Sequence, residues 1–425
     1  MKHMPEWEKI SVSTENPLLN ASRIAFTEFW SLLSVHQPRW AKMFLGWTNL
    51  EFMKPDSRMA NFGLMPAYIG TVEATAKFDK KFPMVWGRRA SDGLCGLLSW
   101  PDLSVIYQKN HNDLVGQKWS RHLLQFASFV SEFAMGTVLE VGSGHGLLGT
   151  AVREAGGSFD SWNVIEPNPL AANPLGDSIV GWFPKDVPNT LKPNVVVHSH
   201  VFEHQEDPLA FARACWDSLN EDGLMLMSLP DMDSMEKNLD LNMLMFEHLT
   251  FLPRVEVLEI MSHSGFKLVA ESNFEHHSLF LAFQKSDFQQ PNNYKSRISD
   301  QEFATICEKF QGRLDDFVES AQNLIKSGSG PVYLFGAHIF SQYLLAAGLS
   351  QELLQGVLDN NKSKQGQRLY GTDLKVLAPE AISGSDRCMI IMPVASYEEE
   401  VLLQLSGILA PGSALLGMRT GLTHV

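Results

Sequence analysis

Basic residues are in short supply in this chain. Lys and Arg total 34 against 48 Asp and Glu, a formal net charge of −14, and no block of Lys or Arg occurs. That balance argues against nucleic acid or an anionic membrane as the main partner, though one local pocket can still be basic. Cysteine is scarce too. The four residues Cys95, Cys215, Cys307 and Cys388 lie far apart and form no C-x-x-C. A disulfide framework and a cysteine-rich zinc site are therefore not expected, and no metal ligand is assigned. No apolar run is long enough to span a bilayer, and the N-terminus lacks an apolar signal core. These absences lead to the expectation of a soluble, cytoplasmic protein.

What is present is enough apolar material for packed domains. The chain has 425 residues, 44% of them hydrophobic, which exceeds a single core and predicts two or three domains. The most informative stretch is Val138-Leu-Glu140-Val-Gly142-Ser143-Gly144-His-Gly146. A strand-like run enters a glycine-rich turn, and a helix-like run, Leu147 to Ala155, follows. Glycine permits positive φ and close approach of backbone to a ligand, and the helix start offers unpaired N–H groups.

Gly144-x-Gly146-x-x-Gly149 has the letters of the dehydrogenase fingerprint but starts late, after an extra Gly142-Ser143. The parse Glu140-x-Gly142-x-Gly144-x-Gly146 resembles motif I of the class I S-adenosylmethionine (SAM) methyltransferases. A carboxylate at the strand tip suits the cationic donor. Trp162 to Glu166 reads as the next strand and ends in an acid 20 residues after Gly146. An acid there accepts hydrogen bonds from ribose hydroxyls.

Further along, strand-like and helix-like runs alternate. Asn194 to His200, a helix through Leu219, and Leu224 to Leu229 have the spacing of a doubly wound parallel sheet. Phe266–Ala270 and Ser278–Phe283 look like a closing strand pair. Glu140, Glu166 and His200–His204 all fall at strand carboxyl ends, where such sheets bind ligands. The cofactor residues are taken to be Glu140, Gly142, Ser143, Gly144, Gly146, Glu166, Pro167 and His200. Glu247-His248 lies in an otherwise apolar run, where an unpaired charge is costly.

A linker is expected at 286–298, then a long helix from Gln301 to Lys326 and a second α/β unit. That unit has strands at Val332–Phe335, Gly356–Asp359 and Met389–Met392, with a lone Gly336-Ala337 turn. The expected division is an N-terminal region, 1–105, forming a cap over the acceptor; a SAM-binding domain, 106–285; and a C-terminal domain, 299–425. The fold class is α/β: a Rossmann-like class I methyltransferase sheet, a second Rossmann-like C-terminal domain and a small N-terminal region.

The order of features resembles the sugar C-methyltransferases of deoxysugar pathways over roughly residues 101 to 410. The resemblance rests on the glycine motif, on Phe246-Glu247-His248-Leu-Thr-Phe-Leu252, and on Leu358-Asp-Asn-Asn-Lys-Ser-Lys-Gln-Gly366 with Gly371 to Pro379. It implies transfer of a methyl group from SAM to a carbon beside a ketone of a nucleotide-linked (deoxy)sugar or a related small molecule, through a base-generated enolate. His248 is then the base, Glu247 supports it, His204 handles the ketone oxygen, and Tyr107 faces the acceptor. The chain departs from that family in lacking its N-terminal cysteine-rich zinc module and in carrying Met245 where a tyrosine is usual. Three alternatives stay open: an O- or N-methyltransferase on another metabolite, a SAM-binding protein without catalysis, and an NAD-dependent oxidoreductase.

Overall fold

In a computed structural model, the structure describes residues 58–106, 117–144, 146–171, 173–287, 294–383 and 387–425. Tyr107 and residues 1–57 of the expected cap lie outside the described residues. In chain order the strands are β1 (Arg58–Pro66), β2 (Thr71–Val72), β3 (Lys81–Arg88), β4 (Cys95–Leu97), β5 (Thr137–Val141), β6 (Ser161–Glu166), β7 (Ser178–Val180), β8 (Val195–Ser199) and β9 (Leu224–Pro230). They continue with β10 (Phe266–Phe274), β11 (Ser278–Lys285), β12 (Val332–Phe335), β13 (Gly356–Leu358), β14 (Arg368–Leu369), β15 (Val376–Leu377), β16 (Met389–Met392), β17 (Ala414–Gly417) and β18 (Gly421–His424).

The central sheet has seven strands in the order β10-β11-β9-β8-β5-β6-β7. β5, β6, β7, β8 and β9 run parallel, and β11 enters antiparallel between β9 and β10. Parallel strands are covered on both faces, which is why β5, β8 and β9 read as nearly unbroken apolar runs. One apolar cluster lies under each face: Leu139, Val196, Met225 and Phe211 on one side, and Val138, Val197, Phe126 and Phe280 on the other. The helix Gln117–Ser131 supplies Phe126, Ala127 and Val130 to the second cluster. Helix Pro208–Ser218 starts at Asp207, whose carboxylate accepts from the Ala210 N–H, with proline at its first turn.

A second parallel sheet, β15-β13-β12-β16-β17-β18, closes with the β17–β18 hairpin. It is preceded by the 28-residue helix Asp300–Ser327. A Ser299/Glu302 capping box fixes the start of that helix, and Phe303, Ile306, Phe310, Leu314 and Phe317 form its buried stripe. These two sheets are the α/β pair that the sequence predicts. The three-stranded antiparallel sheet β1-β3-β4 packs its Met65, Met84, Trp86 and Leu97 into one core with Phe246, Phe303, Leu334 and Tyr343. β2 pairs with β14, and Arg368 binds Asp79 through two nitrogens at 2.6 and 2.8 Å, so this N-terminal sheet is stitched to the C-terminal unit. Among the described residues no helix is long and apolar enough to cross a membrane.

Candidate functional site

The carboxyl ends of β5, β6 and β8 open into a cavity of about 900 Å³. Glu140, Gly142, Ser143, Glu166, Pro167, His200, His204, Glu247 and His248 all line it. Nine of the twelve residues named from the sequence thus meet in one hollow. Gly144 and Gly146 shape the loop beside it, with φ of +51° and +67°.

The loop geometry explains the alternate glycines. Gly142 has φ +78°, and a Cβ placed there would sit 2.6 Å from Val201 Cγ2. Its N–H donates to the Ile165 carbonyl at 3.0 Å, which ties the loop to β6. Gly149 lies flat on the Trp162 indole, where a Cβ would fall 2.8 Å from the ring. Glu140 is buried and accepts a 2.6 Å hydrogen bond from Trp162 Nε1. Burial pushes its carboxyl up to about 7, against the pull of that indole. Glu166 caps its own turn by accepting from the Asn168 N–H at 2.9 Å. An open loop that a side chain would fill, with acids at two strand tips, fits a ligand carrying a cation and a ribose. The late dehydrogenase pattern offers no separate phosphate turn here, because its first glycine, Gly144, belongs to this loop.

Several imidazoles also line the cavity: those of His122, His200, His204, His248 and His277. His200 has φ +53° at the end of β8, held by its N–H to the Ser228 carbonyl. Its Nδ1 lies 3.0 Å from the Glu203 carboxylate and its Nε2 3.2 Å from Ser278 Oγ. His122 and His277 pack around it with Trp119, each bonded to a serine hydroxyl, Ser228 at 2.9 Å and Ser278 at 2.7 Å. Burial pushes His122 down to about 2 and His277 to about 3, and neighbouring His200 adds to both shifts. Both rings are therefore neutral.

Glu247 and His248 sit in a segment, 239–253, that is almost wholly buried and has no helix or strand. Backbone bonds fix it: Leu249 N–H to the Glu203 carbonyl, Leu97 N–H to the Leu249 carbonyl, and Phe251 N–H to the Cys95 carbonyl. His204 Nδ1 faces the Glu247 carbonyl and His248 Nδ1 the Met243 carbonyl, with the two ring centroids 5.6 Å apart. Burial and neighbouring His204 push His248 down to about 4, partly opposed by Glu203.

Glu203, like His122 and His277, lines the cavity and was missed by sequence reasoning. It is fully buried, and its carboxyl is held near 2 against the burial penalty by His204, His200 and His248. The His200-x-x-Glu203 spacing was its only signal, since one helical turn brings such residues together. The far wall comes from the second sheet. Gly336, at φ +97°, and Asp359, which accepts from the Ala337 and Asn361 N–H groups at 2.8 Å each, line the same cavity with Lys364 and Tyr397.

Comparison with known proteins bears on this geometry. A family described as a methyltransferase domain matches residues 112–271, and one described as a C-methyltransferase C-terminal domain matches residues 289–417. No curated protein matches the sequence. Solved structures that resemble it include a chain from the Haloferax volcanii complex of the Trm112 methyltransferase activator (13% identity, TM-score 0.35, covering 40% of this chain and 92% of that one). The N-methyltransferase NodS from Bradyrhizobium japonicum, solved with S-adenosyl-L-homocysteine, resembles it at 12% identity and TM-score 0.31, covering 41% of this chain and 90% of that one. A SAM-dependent methyltransferase from Clostridium acetobutylicum does so at 8% identity and TM-score 0.31, covering 41% and 94%. The two family matches fall on the two parallel sheets that face this cavity, and the chain accordingly carries a methyltransferase domain over residues 112–271 and a C-methyltransferase C-terminal domain over residues 289–417.

Proposed function

We propose that this enzyme methylates a carbon next to a ketone in a small-molecule acceptor, a nucleotide-linked (deoxy)sugar or a related keto compound. The observation that carries the reading is the His204–His248 pair, with ring centroids 5.6 Å apart, lining the same cavity as Glu140, Gly142 and Glu166. Glu140, the Gly142–Gly146 loop, Glu166, Pro167 and His200 are assigned to the donor. SAM supplies an already activated methyl group, so the protein has to supply only an acceptor carbanion in the right place.

His248 is assigned the base. Its Nδ1 proton is directed at the Met243 carbonyl, which leaves the Nε2 lone pair to accept a proton from the acceptor carbon. The C–H electron pair moves into the enolate, and its oxygen is assigned to His204, which serves it as the doubly protonated ring: Nδ1–H donates to the Glu247 carbonyl and Nε2–H to the enolate oxygen. The new C–C bond takes the methyl group, and the departing sulfide is S-adenosylhomocysteine. Glu247 fixes His204 through its main-chain carbonyl.

One observation favours an acceptor without a diphosphate. The described lining carries the carboxylates of Glu203, Glu206, Asp207, Glu247, Asp359 and Glu400 beyond the donor acids, against one lysine, Lys364. Such a wall repels a pyrophosphate. Incubation with SAM and matched ketosugars, with and without the nucleotide, separates the two acceptor classes. NMR of the product reads the bond made: a methyl on carbon supports the reading, and a methyl on oxygen or nitrogen ends it. His248→Ala should lower turnover by about a thousandfold or more while SAM affinity stays within about twofold, as calorimetry would show.

A further inference from the structure

Acid–base chemistry alone does not explain why a buried carboxylate stands beside the two imidazoles. Glu203, His204 and His248 each offer a ligand atom, and these atoms lie within 4.8 Å of one another. Glu203 Oε1 is backed by His200 Nδ1 at 3.0 Å and lies 3.8 Å from His204 Nε2. Glu203 Oε2 is buried with no hydrogen-bond partner among the described residues. A buried carboxylate oxygen without a donor is costly, and a cation at that point would offset the cost.

The two rings are oriented for the same purpose. A main-chain carbonyl only accepts, so His204 Nδ1 donates to Glu247 O and His248 Nδ1 to Met243 O. With both rings neutral, each Nε2 then carries its lone pair, which is the arrangement that outer partners impose on metal-bound histidine. The Leu249 N–H to Glu203 carbonyl bond, at 3.1 Å, locks the two loops that carry the three groups. Two imidazoles and a carboxylate suit Zn²⁺ or Co²⁺ and leave further coordination positions open toward the cavity.

We propose that Glu203, His204 and His248 form a site for one divalent transition-metal ion. The ion would occupy the Nε2 lone pair that His248 needs as a base, so metal and methyl transfer exclude each other. The site stands on its own geometry; only the mutual exclusion rests on the proposed C-methylation.

The test uses the full chain, stripped with a chelator and titrated with Co²⁺ by visible absorption and with Zn²⁺ by calorimetry. One ion per chain is expected, with the visible bands of a low-coordinate Co²⁺. Glu203→Gln and His248→Ala should each weaken binding by about tenfold or more, while His424→Ala, at the exposed end of β18, leaves it unchanged. Circular dichroism establishes that each variant is folded; should Glu203→Gln fail to fold, His204→Gln carries the same test. Absence of a stoichiometric ion overturns the site, and so does an ion that survives both cavity variants. With an acceptor in hand, Zn²⁺ that fills the site should suppress transfer and the chelator should restore it. Bound metal with transfer unchanged overturns the exclusion. Metal binding in a protein that methylates no keto compound would instead overturn the proposed reaction and leave the site standing.

Discussion

At the scale of single residues, the titration of Glu140 has two consequences. Its carboxyl is raised to about 7 by burial, against an ordinary value of 4.5. The folded protein therefore keeps a proton that the unfolded chain loses between those values. Stability from this group is present below pH 4.5 and is lost as the pH rises through 7, on the order of 2 kcal/mol between pH 5 and 8. Glu140→Gln should remove that slope from urea unfolding measured across the range. The second consequence concerns the donor. A cationic sulfonium favours the ionised carboxylate, so SAM should bind more tightly as the pH rises from 6 to 8 in the wild-type protein. Glu140→Gln should bind more weakly with a flatter profile, as calorimetry would read. A wild-type affinity that is flat across that range would remove Glu140 from the donor site.

At the scale of elements, the glycine loop makes the sharpest case. Gly142→Ala places a methyl group 2.6 Å from Val201 Cγ2 at a φ of +78°. The loop must shift, and SAM affinity should fall by about a hundredfold, roughly 3 kcal/mol. Gly146, also at positive φ, has open space around its Cβ position, so Gly146→Ala should cost about tenfold through backbone strain alone. A Gly146 variant as weak as the Gly142 variant would count against the Val201 contact as the cause.

The same elements mark how far the sequence could be read. β5, β6, β8 and β9 were legible because parallel strands buried on both faces must be apolar and end where a polar tip begins. The helix Asp300–Ser327 was legible from its 3.6-residue stripe. β7 was not, since its three residues alternate exposed, half-buried and exposed, with no apolar signal. Residues 239–253 were legible only as an apolar run, because irregular buried backbone leaves no period to read. The Glu247-His248 pair stood out there as charge in apolar text, whereas Glu203 did not. It precedes a helix start rich in acids, where another carboxylate is unremarkable, and only the fold turns it toward His200 and His204. The imidazole cluster was equally hidden, because His122, His200 and His277 come from a helix, a strand end and a hairpin turn far apart in the chain.

At the scale of the whole molecule, the buried ion pair between Asp79 and Arg368 joins the N-terminal sheet to the C-terminal unit. Both side chains are under a tenth exposed, and Arg368 makes two further bonds to main-chain carbonyls, of Ala74 and Thr372. Removing one partner of such a pair leaves the other charged and buried, so Arg368→Met should destabilise the protein by about 3 kcal/mol. Asp79→Asn with Arg368→Met together should recover part of that loss, read by denaturant unfolding. Additive losses would show that the two charges do not sense each other.

The apolar core shared by β1, β3, residues 241–251 and the C-terminal unit has one more consequence. The proposed donor loop and the proposed base are anchored in different masses of side chains: the glycine loop in the central sheet, His248 in the segment that feeds the shared core. Warming or mutation can loosen the second grip while the first stays closed. A protein damaged far away, at Tyr343 or Phe310, would then still carry its methyl donor and yet have nothing to give it to.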